Sequence, residues 1–353
     1  MNLLFSGGID PENLPQAKVN GKCINLYPHM RLRVNTAFEV VVAAGHQTAY
    51  TDKHPAYDIV RGPSGTGLSV GYFPEIAAIP VEVAPTIAYD QLHVNAWLDW
   101  IKGTTPINST VYDALKDTPT LFGGNFQAVS VAQKIYGYVP GTLDITPEVL
   151  VAMDFVDTSL GQVVSALKTK GIYDDTLIIV ASKHGQAPID PKLYGKVDPA
   201  LLNPAIVVPV DFITTDDIGL VFLKNHADTD AAVDNLNGKR NELKIDDIIS
   251  GERLTYLGYG DPLTDPTVPD IIIRPEMGII YTTSTAKIAE HGGLSVDDRK
   301  VACFFSNPSL KKTKYDHKVS TAQVAPTILK ALGLDPNALQ GVKIEGTKVL
   351  DGW

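Results

Sequence analysis

Gly171 to Asp190, GIYDDTLIIVASKHGQAPID, decides the fold. Leu177 to Ser182 is a continuous apolar, β-branched run, the pattern of a strand covered on both faces, and such strands belong to parallel sheets. The run ends at Lys183-His184-Gly185, so it delivers two functional side chains and a turn-permitting glycine to its carboxyl end. In open α/β sheets ligands bind in the crevice at those carboxyl ends, and His184 is therefore the first candidate.

Working upstream, Thr146 caps, Pro147 starts and Gly171 ends a helix of some six turns. Leu150, Met153, Val156, Leu160, Val163, Val164 and Leu167 share one face of it, which is expected to lie on the sheet. Asn35 or Thr36 can cap a helix over 37–44 closed by Gly45, and 47–51 then reads as a strand running into Asp52, Lys53 and His54. The spacing of Leu92, Ala96, Trp97, Trp100 and Ile101 predicts a helix over 89–102. Residues 125–131 (NFQAVSV) read as a strand. Gly62, Gly65, Gly67 and Gly71 lack the strand-before, helix-after setting of a phosphate-cradling loop.

Downstream, 219–223, 270–273, 278–281 and 300–305 read as strands, 228–237 as a helix, and 320–332 as a final helix stopped by Gly333. Residues 1–33 show neither alternation nor helical period and read as an extended loop. The expected organisation is a loop-like segment over 1–33 and one α/β domain over 34–353, with a mostly parallel central sheet, helices on both faces and surface insertions.

The 353 residues, 44% hydrophobic and 20% charged, describe an ordinary globular chain. A net charge of −10 argues against a nucleic-acid surface, and Lys311, Lys312 and Lys314 read as a solvated loop. No uninterrupted apolar run reaches the roughly 18 residues of a spanning helix, so no transmembrane segment is expected. Cys23 and Cys303 allow one disulfide at most.

His291 sits in Glu290-His291-Gly292-Gly293 between two apolar strands, where glycines let the backbone approach a bound group closely. Asp52, Lys53 and His54 end another strand, and Asp216 and Asp217 precede 219–223; Asn125 and Gln186 are further polar candidates for the same kind of crevice. Each residue taken alone has the ordinary alternative of a surface or structural group.

The helix before residue 171, the 171–190 string, IAEHGG near residue 290, KVACFFSNP, and STAQVAPTILKALGLDP together resemble the alkaline phosphatase superfamily. The branch they look like is the type I phosphodiesterase/nucleotide pyrophosphatase family, and VNTAFEVVVAAGHQTAYTDKHPAYD resembles a fungal and bacterial subgroup. The resemblance implies an alkaline phosphatase-like α/β fold and metal-dependent hydrolysis of phosphate mono- or diesters. It implies one or two divalent ions, usually zinc, a Ser or Thr nucleophile, and a small phosphorylated substrate. Paired cations stabilise the attacking and leaving oxygens of the transferred phosphoryl group.

Under that resemblance His184, His291, Asp52 and Asp217 are candidate metal ligands, Lys53, His54 and Asn125 candidate substrate contacts, and Lys183 a candidate catalytic residue. Lys183 stands where the family's strand-end pair has Asp, so an ammonium replaces a carboxylate. An ammonium can serve a phosphate as a point charge or can face solvent at the strand end. The family's first metal-binding Asp and its nucleophile lie upstream of every matching segment, and its Asp-x-x-x-His pair has no match in 120–150. The expectation is an activity impaired in this chain by those losses, against the alternative of a non-catalytic relative that binds an anionic ligand. Full-length relatives are often secreted or membrane-anchored.

Overall fold

The computed structural model describes residues 14–352; part of the segment read as a loop, 1–13, lies outside them. Fourteen strands are formed among the described residues: β1 (Gln16–Val19), β2 (Lys22–Asn25), β3 (Thr48–Thr51), β4 (Val70–Tyr72), β5 (Thr110–Val111), β6 (Leu121–Gly124), β7 (Ile178–Ala181), β8 (Gly195–Val197), β9 (Val210–Thr215), β10 (Gly219–Leu223), β11 (Ile245–Ser250), β12 (Ile271–Pro275), β13 (Ile279–Tyr281) and β14 (Cys303–Ser306). The helices used below are α1 (Ala37–Ala43), α2 (Val83–Lys102), α3 (Ala128–Ile135) and α4 (Pro147–Lys170). The chain divides into two compact units. Among the described residues the first comprises 14–128, 152–180 and 304–352, the second 129–151 and 181–303.

In the first unit β3 pairs in parallel with β4 and with β6, and β5 closes one edge antiparallel to β4. α2 covers this sheet because its apolar positions recur at helical spacing: Val94, Trp97, Trp100 and Ile101 are buried with Ala49, Val70, Val163 and Leu167 in one cluster. α1 packs instead on helix Val324–Ala331 through Val41 and Leu329. Its start is fixed by a capping box, in which Thr36 accepts from the Glu39 amide and Glu39 accepts from the Thr36 amide, satisfying two amides the helix leaves unbonded. Glu39 also accepts from the Ser64 amide and hydroxyl, so a carboxylate fills the glycine-rich turn after residue 61.

Several expectations are corrected here. Residues 16–25 form a hairpin, where an extended loop was expected: Asn20 and Gly21 both adopt positive φ, the geometry of the two-residue turn that suits the twist of paired strands. NFQAVSV is not a strand. The strand precedes it as β6, and 128 opens α3 because the Asp90 carboxylate accepts from the Gln127 and Ala128 amides. On α4, Leu150 and Met153 are exposed while Val149, Ala152, Ser159, Val163 and Leu167 are buried, so the buried stripe is displaced by one position at the amino-terminal end. α4 itself begins at Pro147 and ends before Gly171, whose φ is +78°. By length and composition α4 could cross a membrane, with 22% of its most apolar window buried; polar residues interrupt its apolar run. β7 pairs only with β14 among the described residues, and Ile178, Ile179 and Val180 are half-buried rather than covered on both faces. Both cysteines are free.

The second unit is built on an antiparallel sheet in the order β11-β12-β10-β9, so parallel pairing is confined here to β8 with β13. β12 shows the period of two: Ile271 and Ile273 enter one core with Val221, Leu236 and Leu243, while Ile272 enters another with Leu254 and Val268. The sheet is buried on both faces, as its isoleucine content demands.

Candidate functional site

The second unit brings together His184, His291 and Asp217. Ala187 and Glu290 exchange backbone hydrogen bonds of 2.8 and 2.9 Å, an isolated antiparallel bridge that ties the turn after β7 to the turn after β13. The bridge stacks the rings of His184 and His291, with centroids 3.8 Å apart and planes 27° from parallel. Lys183 is exposed at the head of the first turn.

Two glycines are required by close approach. A Cβ on Gly185 would lie 1.8 Å from the Asp297 carbonyl oxygen, and one on Gly293 would lie 2.7 Å from Asp298 Oδ2 and 2.8 Å from the Asp217 carbonyl oxygen. No side chain fits at either position. The Gly185 amide donates to the Asp298 carbonyl at 2.7 Å.

His184 Nδ1 lies 2.8 Å from the carbonyl oxygen of Gly185. A carbonyl only accepts, so Nδ1 carries a proton. Glu290, buried, is held by Lys134 and Lys287 at 2.5 Å each. Burial works to raise its pKa, yet the two ammonium groups outweigh it and hold the carboxyl below its ordinary range. Asp216 is pushed up to about 7, first by burial and then by the nearby Glu290 carboxylate. Asp217 is driven well upward, by burial foremost and then by Asp298, against which it lies.

The first unit places the other candidates. Thr51 is in register with Gly124, so Asp52 and Asn125 are the next positions at the carboxyl ends of neighbouring parallel strands. Asp52 is buried and accepts from the Lys53 amide and the Tyr50 hydroxyl. Lys53 Nζ donates to Gln127 Oε1 at 2.8 Å. His54 Nδ1 is 2.6 Å from Glu75. Beneath them His93 meets Thr51 Oγ1 at 2.6 Å, and burial lowers its pKa to about 4. Asp90, fully buried, is raised to about 7 by desolvation, which outweighs its two amide donors.

Asp298, Asp90, His93, Gln127, Lys134 and Glu290 are the participants that sequence reasoning did not single out. Only Asp298 carries a local signal, the Ser295-x-x-Asp298 cap in which Ser295 accepts from the Asp298 amide at 3.1 Å.

The two-metal set implied by the resemblance does not fit these residues. Among the described residues no three His, Cys, Asp or Glu side chains converge as a metal set, whereas a structural or catalytic zinc takes three or four. Imidazole lone pairs lie in the ring plane, so rings stacked face to face do not converge theirs on one ion.

The type I phosphodiesterase/nucleotide pyrophosphatase family model matches residues 28–294. No curated protein matches the chain in sequence. Among solved structures, murine ectonucleotide pyrophosphatase/phosphodiesterase 5, inactive and in complex with AMP, is 16% identical, with 85% of this chain and 70% of that one covered at a TM-score of 0.55. The human form of that protein is 15% identical, with 84% and 70% covered at 0.54. Phosphonoacetate hydrolase from Sinorhizobium meliloti 1021, in complex with phosphonoacetate, is 14% identical, with 89% and 77% covered at 0.50. At such identities the structural likeness establishes the α/β fold shared with these proteins, and the family match covers most of the chain. The chain belongs to the type I phosphodiesterase/nucleotide pyrophosphatase family.

Proposed function

We propose that the protein hydrolyses phosphate mono- or diesters, nucleotides among them, and that His184 and His291 form the centre at which the phosphoryl group is handled. The observation that carries this reading is the Ala187–Glu290 bridge, which brings two histidines from distant turns into ring contact. With Nδ1 of His184 protonated, Nε2 presents a lone pair that can accept a proton from an attacking hydroxyl or water. Lys183, at the head of the same turn, would supply a positive charge for a phosphate oxygen. Asp217 is proposed to assist from beneath the His291 turn. At the carboxyl ends of β3 and β6, Lys53, His54 and Asn125 are proposed to contact substrate, with Asp52 as a candidate cation ligand there. Members of the family are generally metal-dependent, so divalent ions belong in the assay.

The test is hydrolysis of bis(p-nitrophenyl) phosphate and p-nitrophenyl phosphate by the purified chain, with and without added Zn²⁺, Mn²⁺ or Mg²⁺. Turnover that drops about a hundredfold or more in His184→Ala and His291→Ala supports the reading, that being the usual scale of a lost acid–base group. Absence of turnover under every condition overturns it.

One observation favours a second reading, a non-catalytic anion-binding relative of the same fold: the histidine rings stack instead of converging on a metal. Saturable AMP binding without hydrolysis would select it.

A further inference from the structure

Asp217 and Asp298 are 6% and 4% exposed, and their carboxyl groups meet beneath the His291 turn. The position of a Cβ on Gly293 is 3.0 Å from Asp217 Cγ and 2.7 Å from Asp298 Oδ2, so both carboxyls crowd one point. Ser295 Oγ donates to Asp298 Oδ2 at 2.6 Å. The remaining three oxygens, Asp217 Oδ1, Asp217 Oδ2 and Asp298 Oδ1, are buried and have no hydrogen-bond partner outside the pair.

The nearby cations are committed elsewhere. Lys134 and Lys287 hold Glu290, and Arg274 holds Asp246 at 2.6 Å. Two buried carboxylates without a counter-charge are strongly unfavourable, so the pair must bind either a proton or a cation. A single shared proton gives one oxygen a donor role and one an acceptor role, which leaves the third unsatisfied. A hard cation, by contrast, is bound by several carboxylate oxygens together. Beside the pair, and lined by Asp217, Asp298, Ser295 and Leu294, opens a cavity of about 210 Å³, room for several waters at roughly 30 Å³ each.

From this arrangement we infer that Asp217 and Asp298 form a binding site for a hard divalent cation of the Mg²⁺ or Ca²⁺ class, with the adjoining cavity supplying its water ligands and its entry path. Hard cations take oxygen ligands throughout, and Mg²⁺ in particular is held by one or two carboxylates while keeping several waters. Among the described residues no third His, Cys, Asp or Glu side chain converges with the pair as a metal set, which suits such an ion and disfavours zinc. The site lies beneath the His291 turn, and its cation binding does not depend on the proposed hydrolysis.

The experiment is calorimetric titration of the chelator-treated chain with MgCl₂, CaCl₂ and ZnCl₂ separately, at constant ionic strength, with thermal unfolding followed in parallel. Expected are saturable one-to-one binding of Mg²⁺ or Ca²⁺ with a rise in Tm, affinity at least tenfold weaker in Asp217→Asn and in Asp298→Asn, and unchanged affinity in His184→Ala. The two isosteric Asn variants are checked by circular dichroism, and either one that folds suffices. Failure of the wild-type chain to bind Mg²⁺ or Ca²⁺ overturns the inference. Binding that survives in the Asn variants, or that is lost in His184→Ala, overturns it equally. Histidine-dependent zinc binding alone would place the cation at the histidine pair instead.

Discussion

Ala187 and Glu290 are joined by two backbone hydrogen bonds and by nothing else resembling a sheet. This one bridge sets His184, three residues before Ala187, against His291, one residue after Glu290. The Glu290 side chain reinforces it through Lys134 and Lys287. A structural ion triad thus stands directly behind the candidate chemistry.

Glu290→Ala should cost about 3 kcal/mol of stability, because it strands the Lys134 ammonium, whose side chain is 12% exposed, without its partner. Glu290→Gln should cost less, since the amide oxygen still accepts from one lysine. Urea denaturation of the two variants measures the difference. Equal stability of Glu290→Ala and the parent chain would show that the triad is not coupled to folding.

Gly185→Ala and Gly161→Ala should move stability in opposite directions. The first puts a methyl group 1.8 Å from a carbonyl oxygen and must shift backbone, at a cost of about 2 kcal/mol or more. The second lies in α4 with nothing within 4 Å of the new Cβ, and should gain roughly 0.5–1 kcal/mol from helix propensity. Denaturation midpoints decide both.

Asp90 and His93 oppose one another in their pH dependence. The folded pKa of Asp90 is raised from 3.8 to about 7, so its contribution is fully present below its unfolded value and is lost as pH rises toward 7. The folded pKa of His93 is lowered from 6.5 to about 4. Its contribution is present above 6.5 and is lost as pH falls through the folded value. Between pH 4 and 6.5 the slopes work against each other. Asp90→Asn should therefore leave stability rising with pH over that window, and His93→Asn should leave it falling. Thermal unfolding in a series of buffers measures both slopes, and parallel slopes in the two variants would refute the assignment.

The local signals in the sequence were the legible ones. Asn35 or Thr36 with Gly45, Thr146-Pro147 with Gly171, and the apolar run 177–182 each mark an element through residues at its own ends or within it. β9 and β11 were missed because Asp211, Asp246 and Asp247 interrupt short antiparallel strands, and the alternation is lost among charges. The Asn20-Gly21 turn was present but flanked by polar strands that show no apolar face. NFQAVSV was misread because its helix starts at a carboxylate supplied by Asp90 from α2, a tertiary cap that local propensity does not carry. His184 and His291 could be named individually from their turns, whereas the meeting of Asp217 with Asp298 has no short-range signature.

The 187–290 bridge also sets an order of assembly. It closes a loop of about a hundred residues, and loop-closure entropy of about 3–5 kcal/mol must be met before so distant a contact rewards the chain. Two hydrogen bonds do not meet that cost, so the isoleucine-rich sheet between them is expected to condense first and carry the ends together. The histidine pair is then a late product of folding: in pulsed hydrogen exchange the amides of Ala187 and Glu290 should gain protection after those of β10 and β12, and a chain arrested before that step would hold a finished sheet and no site.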